Sequence, residues 1–147
     1  MSQDLACHRL ADVRLPLLDG GSTNLGNFIG QKLVVFFCPV ENPIASSQEV
    51  EAYRALASEF EKVGTWIVGI VSEPIAPAHR DAEPHVSLGV DADGSAFEKL
   101  VQSLPPGVQI DRRGGSAFLI DRDGSIRTAS SGFGHAQQML ADARERP

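Results

Sequence analysis

The strongest candidates for covalent chemistry in this chain are the side chains of Cys7, Cys38 and Ser46. Ser46 precedes a helical pattern, and a helix N-terminus is where a cysteine ionises readily, because the helix dipole stabilises a thiolate. A serine hydroxyl at the same place needs a partnered base, and no histidine lies near Ser46 in sequence. Ser46 and Glu49 also match the capping box S-x-x-E, so the pattern favours a helix cap over nucleophilic catalysis.

Cys38 ends an apolar run, and unpaired cysteines are among the residue types most often buried. It is followed by Pro39, Val40 and Glu41, so the chain lacks the Cys-x-x-Cys pair of a thioredoxin-type oxidoreductase. We therefore expect Cys38 to pack in the core. A redox role for Cys38, alone or together with Cys7, is the alternative.

The histidines do not form a metal-binding pattern. They are His8, His79, His85 and His135, without paired spacing on a helix or a hairpin. The sequence therefore predicts neither a metal nor a cofactor.

Length and charge limit the class of protein. A chain of 147 residues with 42% hydrophobic content predicts a single domain, 1–147. The 19 acidic and 13 basic residues give a net charge of -6, which disfavours nucleic acid and anionic membranes as partners. Charged residues interrupt the first twenty positions, and no apolar stretch reaches the roughly 18 residues of a membrane span. With only two cysteines, we expect a cytoplasmic protein.

The elements that would position these residues follow from periodicity. The apolar runs 32–38 and 66–71 are typical of strands buried on both faces. Between them, Val50, Tyr53, Ala57 and Phe60 recur at helical spacing. The polar side of this helix is predicted to carry Glu49, Glu51, Arg54, Glu59 and Lys62. Strand, helix and strand then form a parallel unit.

The second half of the chain predicts shorter elements. Residues 86–90 form a strand or an extended edge, and 96–104 a helix that ends at two prolines. Residues 116–120 and 125–128 form a hairpin around the turn 121–124, and a last helix covers 135–144. This order is typical of an α/β protein with a thioredoxin-like fold, in which helices flank a central mixed β-sheet, although pattern alone leaves other α/β topologies open.

Taken together, these segments resemble a known family over nearly the whole chain. The resemblance is carried, in order, by LPLLDGGSTNL, LGNFIGQKLVVFFCPVENP, WIVGIVSE, VSLGVDADGSAFEKL and SAFLIDRDGSI. They resemble the peroxiredoxins, and within them the peroxiredoxin Q or bacterioferritin comigratory protein branch.

The resemblance implies where a peroxidase site would lie. In peroxiredoxins the signature P-x-x-x-T-x-x-C opens a helix, and its cysteine attacks a peroxide as a thiolate and becomes a sulfenic acid. Here that signature falls on Pro39, Pro43 and Ser46. The family arginine that helps to orient the peroxide corresponds to Gly115, and the second cysteine used by many members of this branch corresponds to Glu51.

These departures predict a degenerate peroxiredoxin site. A deliberate Cys-to-Ser change in an active peroxiredoxin would explain Ser46 but not Pro43 or Gly115. Arg112 and Arg113 lie just upstream of Gly115 and could swing back toward the site. We expect a non-enzymatic binding or regulatory module whose partner, a protein or a small molecule, the sequence does not identify. The alternatives are a thiol peroxidase that uses Cys38, an engineered variant of an active enzyme, or a subunit of a larger enzyme.

Overall fold

The computed structural model describes residues 14–16, 22–25, 30–38, 43–71, 86–91, 94–102, 110, 115–122, 124, 126–132 and 134–145, with only the backbone described at 15, 43–47 and 86–87. The strands are β1 (Arg14–Pro16), β2 (Ser22–Asn24), β3 (Lys32–Phe37), β4 (Thr65–Val71), β5 (Val86–Val90), β6 (Ser116–Ile120) and β7 (Ile126–Ser131). The helices are α1 (Pro43–Ala55), α2 (Ala57–Lys62), α3 (Ser95–Gln102) and α4 (Ala136–Arg144).

Five strands form a mixed sheet in the order β5-β4-β3-β6-β7. Strands β3, β4 and β5 are parallel, whereas β6 and β7 run antiparallel to their neighbours. Strands β1 and β2 form a separate antiparallel pair. The predicted thioredoxin-like arrangement of a mixed sheet and flanking helices is confirmed, and the strand predicted at 86–90 is the edge strand of the sheet.

The central strand β3 is buried at every position, as its apolar run predicts. Because successive strand residues point to opposite faces, Val34, Phe36 and Cys38 lie on one face of the sheet, against α1, α2 and α4. Leu33, Val35 and Phe37 lie on the other face with side chains of α3. The two faces are the two halves of the core.

The helix predicted after β3 is divided into two. A turn at Leu56 separates α1 from α2, and α1 begins at Pro43, three residues before the predicted start at Ser46. Proline suits the first turn of a helix, because its missing N–H would have had no partner there. The hairpin at 116–131 is confirmed, and its turn is closed by a hydrogen bond from the N–H of Gly124 to the carbonyl of Asp121 (3.0 Å).

Two buried polar side chains attach helices to the sheet. Asp91, which follows β5, accepts hydrogen bonds from the N–H groups of Ala96 and Phe97 in the first turn of α3, both at 3.0 Å. Lys32 donates from Nζ to the carbonyl of Ala143, near the end of α4 (2.8 Å). None of the helices described is long and apolar enough to cross a membrane.

Candidate functional site

The described residues of the predicted site lie at the carboxyl end of β3. Cys38 directly follows this strand and donates its N–H to the carbonyl of Ile70 on β4 (2.9 Å). Phe37 pairs with Ser116, so Gly115, which directly precedes β6, lies at the same end of the sheet as Cys38. Helix α1 follows β3 after a short connection. The fold therefore brings Cys38, Gly115 and the start of α1 to this end of the sheet.

Ser46 is the fourth residue of α1, so its backbone lies in the first turn, as predicted. The capping-box interpretation is wrong, however, because the helix begins at Pro43 and Glu49 contacts a distant loop instead. Nothing is described of the Ser46 and Pro43 side chains, so the predicted local hydrogen bonds of the Ser46 hydroxyl lie outside the described structure. Other residues named from the sequence also lie outside it, namely Cys7, His8, Pro39, Val40, Glu41, His79, His85, Arg112 and Arg113.

Gly115 is buried and has a φ of 87°. Its carbonyl accepts a hydrogen bond from the N–H of Gly132, at the end of β7 (2.8 Å). Residues with a side chain rarely adopt a positive φ, so glycine is favoured at this position for a reason of backbone geometry. An arginine here would strain the backbone.

Cys38 is 4% exposed and belongs to the core cluster that α1, α2 and α4 cover. The expectation that its thiol packs in the core is confirmed. Burial in apolar surroundings disfavours the thiolate, which is the reactive form of a cysteine. Cys38 is therefore placed as a packing residue at the edge of the site.

Glu49 was predicted on the polar side of the helix, and this prediction is wrong, because the residue is 2% exposed. Its Oε1 accepts a hydrogen bond from the N–H of Gly134, 85 residues away (2.9 Å). Its Oε2 is buried and has no hydrogen-bond partner among the described residues. Burial raises the pKa of Glu49, while the Gly134 N–H and the nearby His135 oppose that rise.

Tyr53 lies one turn beyond Glu49 on the same side of α1. Its ring is fully buried and stacks on Phe36 at a centroid distance of 4.0 Å and an interplanar angle of 5°. Its hydroxyl has no hydrogen-bond partner among the described residues. Burial raises the pKa of Tyr53, and its proximity to Glu49 and Cys38 raises it further.

The burial of Glu49 beside Tyr53 was indicated in the sequence by their spacing of four residues. Tyr53 was placed on the apolar side of the helix, and a residue four positions earlier lies on the same side. That residue is Glu49, so the spacing already indicated a carboxylate directed inward with a tyrosine. The loop that covers Glu49 is distant in sequence and gave no such signal.

The other candidate positions are peripheral. Glu51, which the family resemblance aligned with a second cysteine, is exposed and pairs with Arg54 (3.3 Å). His135 is the N-cap residue of α4, and its Nε2 lies 2.8 Å from the carbonyl of Ser131. Within the ranges that the structure describes, no group of three or more His, Cys, Asp or Glu residues could hold a metal ion.

Comparison with known proteins is consistent with this arrangement. The AhpC/TSA family matches residues 7–129. The peroxiredoxin Bcp of Xanthomonas campestris pv. campestris is 31% identical over 140 residues, which cover 88% of this chain and 87% of that protein.

Two solved structures are similar over most of their length. Peroxidoxin BcpB from Mycobacterium tuberculosis is 27% identical with a TM-score of 0.70, covering 93% of this chain and 94% of that one. Peroxiredoxin Q from Xanthomonas campestris is 24% identical with a TM-score of 0.72, covering 92% of each chain. The chain therefore belongs to the AhpC/TSA family, in the peroxiredoxin Q and Bcp branch of the peroxiredoxins.

Proposed function

We propose that this chain is a single peroxiredoxin-like domain that acts in the cytoplasm as a binding or regulatory module and does not reduce peroxides at the family's site. The observation that carries the proposal is Ser46 in the first turn of α1, where the family places its nucleophilic cysteine. The helix N-terminus can stabilise a thiolate, but it does not make a serine hydroxyl ionise at neutral pH.

Two further positions support the proposal. Pro43 replaces the family threonine and has neither a hydroxyl nor an N–H to donate. Gly115 replaces the family arginine, and its φ of 87° favours glycine. The groups that would hold a peroxide and stabilise its developing charge are thus absent from their usual positions.

Cys38 is a poor substitute for the missing nucleophile. Its thiol is almost wholly inside the core, so a peroxide would reach it only after the packing opened. The thiolate would also be disfavoured there. This burial weighs against the alternative of a peroxidase that uses Cys38.

The direct test is peroxide consumption by the purified protein in the presence of a thiol reductant. We expect no turnover of hydrogen peroxide or of an alkyl hydroperoxide above a protein-free control, both for the natural chain and for Cys38→Ser. Turnover on the order of 1 per second or faster would contradict the proposal. Loss of such turnover in Cys38→Ser would identify Cys38 as the nucleophile.

Restoring the sulfur distinguishes a site that lacks only the cysteine sulfur from one that also lacks the groups that hold a peroxide. Ser46→Cys returns a thiol to the helix N-terminus, and Ser47→Cys is the matched control at the neighbouring position. If each of the two other missing groups contributes roughly 2–4 kcal/mol in the transition state, Ser46→Cys should remain at least about several hundredfold below a competent peroxidase.

The combined change Pro43→Thr, Ser46→Cys and Gly115→Arg should recover more activity than Ser46→Cys alone. Its gain should be limited by a backbone strain of about 1–3 kcal/mol at position 115. Full activity from Ser46→Cys alone would show that the site lacks only one sulfur, with Arg112 or Arg113 in the arginine role. The serine would then be better explained as an engineered or very recent change.

A further inference from the structure

Glu49 joins two parts of the chain that are 85 residues apart, through a carboxylate that is shielded from solvent. We propose that the Glu49 carboxylate is an acid-sensitive latch that holds Gly134, in the loop between β7 and α4, against α1. The latch is independent of whether the domain has any peroxidase activity, and it is tested without an activity assay.

Among the described residues, two backbone N–H groups of the loop bond to other parts of the chain, and their acceptors differ in chemistry. At Gly132 it donates a backbone N–H to the carbonyl of Gly115, a bond that does not titrate (2.8 Å). At Gly134 it donates a backbone N–H to Oε1 of Glu49 (2.9 Å). Only the second attachment depends on an ionisable group, so pH can release the loop from α1 while leaving it on the sheet.

The surroundings of Glu49 determine when it takes up a proton. From the loop and α4 it is faced by the Gly134 N–H and His135, and Tyr53 of its own helix lies nearby, with Cys38 in turn close to Tyr53. Burial raises the pKa of Glu49, and His135 and the Gly134 N–H offset part of that rise. The carboxylate therefore takes up its proton at a higher pH than an exposed glutamate does.

Protonation weakens the latch because a neutral carboxyl group is a poorer acceptor than a carboxylate. Hydrogen bonds to charged groups are about twice as strong as those between neutral groups, so the protection of the Gly134 amide should fall by about tenfold when Glu49 becomes neutral. The bond from Gly132 to Gly115 should be unaffected. Acid would thus loosen the loop between β7 and α4, beside the candidate site.

The experiment is an NMR titration of isotopically labelled protein between pH 3.5 and 8. The Glu49 side-chain carboxyl carbon and the Gly134 amide should titrate with one shared midpoint, above the ordinary value of a glutamate. Hydrogen exchange of the Gly134 amide, corrected for its intrinsic pH dependence, should accelerate by about tenfold below that midpoint, whereas the Gly132 amide should not change.

Three variants make the assignment specific. Glu49→Gln should abolish the titration of the Gly134 amide, and Glu51→Gln, the matched control on the exposed side of the same helix, should leave it intact. His135→Gln should move the Glu49 midpoint to higher pH, because it removes an interaction that lowers the pKa of Glu49.

Two results would overturn the latch. One is a Glu49 carboxyl carbon whose midpoint is at or below the ordinary value of a glutamate, and the other is a Gly134 amide that does not follow Glu49. Both are measured on the natural chain, so they decide the question even if Glu49→Gln does not fold.

Discussion

Removing the hydroxyl of Tyr53 tests the interpretation that a polar atom is buried beside Glu49 without a partner. Tyr53→Phe keeps the ring, and with it the stack on Phe36 at 4.0 Å and the contact with Phe60 at a centroid distance of 6.0 Å. It removes one oxygen that has no hydrogen-bond partner among the described residues. The substitution therefore changes a single polar atom and leaves the packing in place.

The expected magnitude follows from the cost of burying an unsatisfied hydroxyl. A buried donor left without a partner costs about 1–3 kcal/mol, and Tyr53→Phe removes that cost while losing a few contacts of the oxygen. We expect the free energy of unfolding to increase by about 1–2 kcal/mol. For a chain of this length, that is a rise in Tm of about 2–8 °C.

The assay is equilibrium unfolding in urea, followed by circular dichroism and checked by thermal denaturation. The slope of the unfolding free energy against urea should stay unchanged, so that a shifted midpoint reports stability. Tyr53→Ala is the control for packing and should lose about 3–5 kcal/mol, because it deletes the ring as well. A loss of more than about 1 kcal/mol in Tyr53→Phe would refute the reasoning, since it would mean that the hydroxyl has a partner such as a bound water.

Three further predictions test the packing around the sheet. Gly69→Ala should destabilise the protein by about 1–3 kcal/mol, because its Cβ would clash with the ring of Phe36 and lie 2.9 Å from Leu88. An unchanged Tm would mean that the core rearranges to accommodate the methyl group. Asp91→Ala should cost about 1–2 kcal/mol in urea unfolding, because two N–H groups of α3 lose their acceptor, and equal midpoints would contradict this. Native Cys38 should react slowly with a thiol reagent in a spectroscopic assay and rapidly after unfolding, whereas rapid native labelling would favour the redox alternative.

The strands were predictable from sequence because their signals are local. β3 and β4 are continuous apolar runs, and such runs are typical of strands buried on both faces. The hairpin of β6 and β7 was predictable from its glycine-containing turn. The start of α1 was placed three residues late, because Ser46 and Glu49 match a capping box, whereas Pro43 is itself suited to the first position of a helix.

The burial of Glu49 was predictable only in part. Its charged side chain assigned it to the polar side of α1, although its spacing of four residues from Tyr53 indicated the inward side, and burial depends on whether another part of the chain covers it. The covering residue is Gly134, and its N–H gives the carboxylate a partner that makes burial tolerable.

For the candidate site, the sequence alone determined which atoms are available. Residue type establishes that position 46 carries a hydroxyl, position 43 no hydroxyl and position 115 no guanidinium, whatever the fold. Tertiary structure decided the rest, because proximity and burial arise from strand pairing and helix packing between residues far apart in sequence. Strand pairing brought Gly115 to the end of the sheet where Cys38 lies. Helix packing enclosed the Cys38 thiol in the core, and a hydrogen bond joined Glu49 to a loop 85 residues away.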